Sequence, residues 1–234
     1  MFILGDARIP DVAKENLARL GTFVPFLTTG VTYESISGHP DIFFCHGDEA
    51  LVVAPNTPEK YLKILKLQNI SFVKGSLPLG KTYPETARYN AVVTDDVLIH
   101  NQKYTDPVVK MLAVEKQQIH VGQAYTRCSL LPLSLKRFIT SDEGIYKTLL
   151  QQDIDVHYFS PQGILLPGFQ HGLLGGCCGV FENRIFIIGQ LAAYPEGKRL
   201  SSLLTGWGYE IVELYEGPLF DGGSLLFFPK QKNI

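Results

Sequence analysis

The sequence predicts an α/β fold, a five-bladed, pseudo-fivefold α/β propeller of strand–strand–helix–strand units closed by the last strand of the chain. Three observations predict it. Short apolar runs recur in pairs, each pair followed by one helical segment and a further strand. Tight polar turns join the paired runs, and Asp or Thr-Pro precedes the helices. One strand is left over late in the chain, and it is the strand that the first unit lacks.

The first unit reads Met1–Leu4, a helix over Asp11–Leu20 with Val12, Leu17 and Leu20 on one face, and Phe23–Leu27. The second reads Ile42–Cys45, Ala50–Ala54, helix Pro58–Leu67 and Ile70–Val73. The third reads Ala91–Thr94, Val97–His100, helix Asp106–Val114 and Gln118–Val121. The fourth reads Ser129–Pro132, Arg137–Thr140, helix Asp142–Gln151 and Val156–Phe159. The fifth reads Gly179–Phe181, Ile185–Gly189, helix Glu196–Gly206 and Glu210–Leu214, and Ser224–Phe228 remains to complete the first. Gly47-Asp48, Asp95-Asp96 and Glu182-Asn183 are hairpin turns in this reading. Thr57-Pro58, Thr105-Asp106-Pro107 and Thr140-Ser141-Asp142 are helix starts. Closure of such a ring removes free sheet edges.

The bulk properties agree with one domain over residues 1–234. The chain is 45% hydrophobic and 19% charged, and no Pro/Gly/Ser-rich linker divides it. A net charge of -2 and a pI near 6.3 speak against a nucleic-acid binder. The longest apolar runs, such as Ile185–Ile188 and Leu225–Phe228, have strand length and cannot span a membrane. Met1-Phe2-Ile3-Leu4-Gly5-Asp6 does not read as a secretory signal. Cys45, Cys128, Cys177 and Cys178 form no Cys-x-x-Cys pair, and the expectation is reduced thiols in the cytoplasm.

In a ring of repeats, equivalent strand ends converge on the axis. The positions just before the first strand of each unit are Asp41, Asn90, Cys128, Cys177 and the Asp221–Gly223 segment. His39 and Asp41, two apart on an extended chain, would face one side as a base with its orienting carboxylate, or else cap a turn. Cys128 follows Thr126-Arg127, and a neighbouring guanidinium favours thiolate, although an isolated Cys is more often core. Of Cys177 and Cys178, one faces the axis and the other packs, and Cys45 is core. His171, in the glycine-dense stretch Gly168-Phe169-Gln170-His171-Gly172, is a better general-base candidate than His46, His100, His120 or His157. That stretch lacks the order of a phosphate loop. Asp142 in Thr140-Ser141-Asp142-Glu143 reads first as a helix cap and second as a catalytic acid. No segment carries metal-ligand spacing and no Gly-x-Ser-x-Gly elbow occurs, so neither metal nor cofactor is expected.

The units, together with His39-Pro40-Asp41, Gly122-Gln123-Ala124-Tyr125-Thr126-Arg127-Cys128-Ser129, Ile139-Thr140-Ser141-Asp142-Glu143-Gly144-Ile145, Gly168 to Gly176 and Asp221-Gly222-Gly223-Ser224, resemble an uncharacterised bacterial branch of the pentein, or guanidino-group-modifying enzyme, fold. The resemblance covers nearly the whole chain. It implies a small-molecule site at the mouth of the ring. The characterised enzymes of that fold are arginine and agmatine deiminases, amidinotransferases and dimethylarginine hydrolases, which use a Cys nucleophile, a His and carboxylates that grip a guanidinium. By this resemblance His171 falls at the family's histidine, with Leu173 where its charged partner would stand. The family's Cys position, after the late Gly-rich turn, holds Leu226. Cys128 is then the candidate nucleophile, His171 or His39 the acid/base, and Asp41 and Asp221 the carboxylates for a guanidino or amino compound, with Asn90 and Arg127 beside them. The alternative is a non-catalytic pentein that binds a small ligand or a protein partner, as a ribosome anti-association factor of the same fold does without catalysis.

Overall fold

The computed structural model describes residues 1–47 and 50–229. Among these, five three-stranded sheets share one topology, in which the first two strands run antiparallel and the third runs parallel to the middle one. A helix makes each parallel crossover, because strands that run the same way need a long connection. The second sheet is Phe44–His46, Leu51–Val53 and Phe72–Lys74, crossed by Glu59–Leu67. The third is Val92–Val93, Val97–His100 and Gln117–His120, crossed by Pro107–Leu112. The fourth is Leu130–Leu133, Arg137–Thr140 and Asp155–Tyr158, crossed by Glu143–Leu150. The fifth is Cys178–Phe181, Arg184–Ile187 and Glu210–Glu213, crossed by Gly197–Gly206.

The first sheet joins the two extremities of the described chain. Phe2–Asp6 pairs in parallel with Thr22–Phe26 across the helix Asp11–Leu20, and antiparallel with Leu226–Phe228 in the register Phe2↔Phe228. Each helix buries one stripe, such as Ala13 and Leu17 in the first and Ile145 and Leu149 in the fourth.

Local chemistry explains several boundaries. Asp106 and Asp142 cap their helices by accepting from Val108 N–H at 2.9 Å and Ile145 N–H at 2.8 Å. Thr57 is different: Pro58 occupies the cap position and the Thr57 hydroxyl makes no capping bond. Thr94 and Val97 close the Asp95-Asp96 turn with a 3.0 Å bond, and Glu182 takes a left-handed φ of 56° in the Glu182-Asn183 turn. Asp48 of the expected Gly47-Asp48 turn lies outside the described residues.

Three local features differ from the sequence reading. Pro40–Phe43 is a helical turn rather than the start of a strand, since Pro40 presets the first helical position and removes a donor that a strand would need. His39 and Asp41 therefore do not lie on extended chain. Thr126–Ser129 is likewise a helical turn, so Cys128 precedes its strand from a coil of chain. A further two-stranded parallel pair, Ile164–Leu165 with Leu219–Phe220, ties the loop after the fourth unit to the segment that carries Asp221.

Candidate functional site

The segments that precede the first strand of each unit meet one another. Asp41 N–H donates to Gly223 O at 3.1 Å, and Asn90 Nδ2 donates to Asp41 O at 3.1 Å. Arg127 N–H donates to Asn90 O at 3.0 Å, and its Nη1 donates to Gly175 O at 3.1 Å. Gly222 and Ser224 N–H both donate to Gly176 O, at 3.1 and 2.9 Å. These bonds pass from unit to unit and return to the first. The segments around four of the predicted positions, with Gly175-Gly176 just before Cys177, thus belong to one hydrogen-bonded circuit.

Inside that circuit lies a buried polar cluster. Asp6, His39, Asp41, Asn90, Cys128, Asp221 and Ser224 are all at most 3% exposed. The Cys128 thiol donates to the Asp41 carboxylate, with Sγ 3.1 and 3.3 Å from its two oxygens. Asn90 supports the sulfur from the other side: its Nδ2 lies 3.2 Å from Sγ, while its Oδ1 accepts from Cys128 N–H at 3.1 Å. The Ser224 hydroxyl donates to Asp41 Oδ2 at 2.7 Å. Ser224 holds a left-handed φ of 67°, an uncommon conformation for a residue with a side chain, and one that favours a functional reading. Gly223 must be glycine twice over: its φ is 65°, and a Cβ there would collide with His39.

His39 stands between two carboxylates without bonding either. Its Nε2 is 3.9 Å from Asp6 Oδ2 and its Nδ1 is 4.0 Å from Asp221 Oδ1. Both ring nitrogens are buried with no hydrogen-bond partner among the described residues. Asp221 accepts from Leu173 N–H at 2.8 Å and Gly223 N–H at 3.1 Å. Asp6 is engaged by Arg8, through its backbone N–H at 2.7 Å and its Nε at 2.9 Å.

Burial dominates the electrostatics. It pushes the Asp221 carboxyl up to about 6; the charge of His39 opposes this and that of Asp41 adds to it. Burial also drives the Cys128 thiol well above its ordinary range, and the carboxylates of Asp41 and Asp221 drive it further. The sequence reading expected Arg127 to favour thiolate. In the structure the charge in contact with the sulfur is the Asp41 carboxylate, and the Arg127 guanidinium is spent on Gly175 O.

Two cavities adjoin the cluster. Arg8, Glu34, Ser35, Leu166, Pro167, Gly168, Phe220 and Asp221 line one of about 370 Å³, which gives Asp221 its access. Aromatic rings gather near this side. Tyr33 packs against Phe169 with ring centroids 6.1 Å apart and shares a 3.0 Å hydroxyl–hydroxyl bond with Tyr125. Arg127 reaches a second cavity of about 610 Å³, bordered by His46, Asp95, Asp96, Lys136 and Leu226.

Of the residues singled out from sequence, His39, Asp41, Asn90, Cys128 and Asp221 come together. Arg127 takes part in the circuit through its backbone and guanidinium. His171 is half-buried, and its Nδ1 lies 3.1 Å from the neighbouring Gly172 O rather than in the cluster. Cys177 is buried and its thiol lies 3.4 Å from Leu173 O. Asp142 serves as the helix cap. The sequence reading missed Asp6, Arg8 and the hydroxyl of Ser224. For Asp6 a signal existed: a lone carboxylate ends the apolar run Phe2-Ile3-Leu4, the same arrangement that drew attention to Asp41 and Asp221.

The model of a family described as "Family of unknown function (DUF6873)" matches residues 4–226. The chain belongs to this family. No curated protein matches the DUF6873 chain in sequence. Among solved structures it is similar to SxtG, an amidinotransferase from Microseira wollei in the saxitoxin biosynthetic pathway, with a TM-score of 0.59 at 10% identity over 99% of this chain and 95% of that one. It is also similar to a dimethylarginine dimethylaminohydrolase bound as an adduct with 4-chloro-2-hydroxymethylpyridine, with a TM-score of 0.50 at 11% identity over 91% of each chain. An agmatine deiminase from C. jejuni aligns over 71% of this chain and 62% of its own, with a TM-score of 0.46 at 11% identity. The first two likenesses show that the DUF6873 chain has the pentein fold. No helix among the described residues is long and apolar enough to cross a membrane.

Proposed function

We propose that the five sheets close as a pseudo-fivefold α/β propeller, a single domain, and that its axis holds a small-molecule site of the hydrolase or amidinotransferase type acting on a guanidino or amino compound. The observation that carries this reading is the convergence of Asp41, Asn90, Cys128 and Asp221 around His39 within one hydrogen-bonded circuit. A cluster holding three carboxylates with few matching cations is the complement of a small cation. Tyr33, Phe169 and Tyr125 offer ring faces to a planar guanidinium that enters through the cavity at Asp221. All four cysteines are free, which suits a reducing compartment such as the cytoplasm.

Roles follow from reach. Cys128 is the nucleophile, and Asp41, which already accepts its proton, is the base that frees it. A guanidinium seated between Asp41 and Asp221 offsets the two charges that raise the thiol, so the substrate itself promotes thiolate formation. His39 is the acid/base in place of His171, because it stands among the reacting groups. Asn90 orients the sulfur, and Arg127 fixes the backbone at Gly175.

The test is a panel of guanidino and amino compounds offered to chelator-treated full-length protein, with release of ammonia or amine followed over time. Turnover should appear with at least one class and fall by about 10²-fold or more in Cys128→Ser. Unchanged turnover in that variant overturns the thiol route. Neither binding nor turnover across the panel overturns the reading as a whole.

A further inference from the structure

His39, Asp41 and Cys128 each offer one ligand atom, and all these atoms lie within 4.8 Å of one another. From this juxtaposition we propose that the three residues form a site for a single divalent transition metal of the zinc class. The inference goes beyond the reaction proposed above and does not rest on it.

Four observations support the site. First, nitrogen, oxygen and sulfur in one set is the mixed donor chemistry that Zn²⁺ accepts in tetrahedral geometry, with bonds of roughly 2.0–2.3 Å. Ligand atoms already within 4.8 Å need only a small contraction to reach it. Second, His39 is a buried imidazole with neither nitrogen satisfied, an arrangement that costs free energy and that a bound cation would repair. Third, the surroundings match an outer shell. A metal-bound imidazole usually presents its other nitrogen to a carboxylate. Here Asp6 faces Nε2 and Asp221 faces Nδ1, so the requirement is met whichever nitrogen binds. The Asn90 amide already points at the sulfur and can donate to it as a thiolate, and Ser224 holds Asp41. Fourth, a cavity reaches Asp221, whose carboxylate lies 4.0 Å from His39 Nδ1.

The balance is simple. The Cys128 S–H bond breaks and its proton goes to solvent. The sulfur–metal bond forms, and thiolate and Asp41 carboxylate together neutralise the dication. Three protein ligands would leave a fourth position for water or another small ligand. Neither sequence spacing nor any single segment reveals the site, since its ligands come from residues 39, 41 and 128.

The experiment titrates Zn²⁺ and Co²⁺ into chelator-treated full-length protein with no guanidino compound present. One equivalent of Co²⁺ should give thiolate-to-cobalt charge-transfer absorption together with tetrahedral ligand-field bands. Cys128→Ser should abolish the charge-transfer band, Cys178→Ser should retain it, and His39→Gln should weaken Zn²⁺ binding at least about 10-fold. The unmutated chain carries an independent test: X-ray absorption of the zinc-loaded protein should show one sulfur with nitrogen and oxygen ligands. Absence of stoichiometric binding, a charge-transfer band that survives in folded Cys128→Ser, or an all-oxygen or multi-sulfur shell overturns the proposal. Because the readout is spectroscopic and uses the metal alone, loss of this site and failure of the guanidino reaction would be told apart.

Discussion

Two buried His–Asp nodes lie some sixty residues apart in this chain, and they are built on opposite principles. At His100 and Asp106 every polar atom has work in holding the fold. His100 Nδ1 lies 2.7 Å from Thr105 Oγ1, and Nε2 lies 2.8 Å from Ala124 O. Asp106 accepts from the N–H groups of Ser76, Leu77 and Val108 at 2.8 to 3.2 Å, and the Tyr89 hydroxyl lies 3.0 Å away. At His39 and Asp41, among the described residues, the imidazole bonds nothing and the carboxylate accepts only from the side chains of Cys128 and Ser224. Both nodes are equally buried. Burial alone therefore does not separate a structural polar group from the proposed functional one; the difference between the nodes lies in whether backbone donors and acceptors consume the polar atoms.

The comparison can be broken at its structural end first. Asp106→Ala leaves three backbone donors without an acceptor and the Tyr89 hydroxyl with Leu77 O alone, and should lower unfolding free energy by at least about 3 kcal/mol in urea titrations. A loss under about 1 kcal/mol would remove the distinction. The next largest effect is in acid. Burial holds His100 neutral down to about 4 in the folded chain against 6.5 ordinarily. The unfolded chain thus takes up a proton that the folded chain refuses, and stability present above about pH 6.5 is lost as pH falls towards 4. This single group accounts for about 3 kcal/mol by pH 4, read as the difference in acid sensitivity between the wild type and His100→Gln. The smallest effect belongs to the proposed functional node. His39→Gln breaks no hydrogen bond and should change stability by less than about 1 kcal/mol, while turnover of any accepted compound falls by about 10²-fold or more. A large stability loss with turnover intact would make His39 a second His100.

Much of the fold was legible because its signals are local. Alternating apolar runs, two-residue turns and the caps Asp106 and Asp142 act within four residues, and the starts of the helices Pro107–Leu112 and Glu143–Leu150 follow from them. The pairing of Leu226–Phe228 with Phe2–Asp6 is long-range, yet it was legible from the unit count, because only one strand was missing and only one was spare. The strands Ile164–Leu165 and Leu219–Phe220 were not legible, since two residues carry no periodicity. The turns at Pro40–Phe43 and Thr126–Ser129 were read as extended because apolar residues continue straight from each into its strand. At the site, equivalence of positions found Asp41, Asn90, Cys128 and Asp221. It could not show which charge would touch the sulfur. That depends on the fold of the 40–43 turn, which swings the Asp41 carboxylate onto Cys128 and leaves Arg127 to the backbone at Gly175.

The pairing of Phe2 with Phe228 also sets an order of events. Asp6 and His39 leave the ribosome early, whereas Asp221 and Ser224 emerge together with the strand that completes the first sheet. The hydroxyl of Ser224 meets Asp41 across 183 positions of chain. A chain shortened before Asp221 lacks the antiparallel partner of Phe2–Asp6, one carboxylate of the polar cluster and the Ser224 hydroxyl that bonds Asp41. The proposed site is thus assembled only when the first sheet gains its third strand.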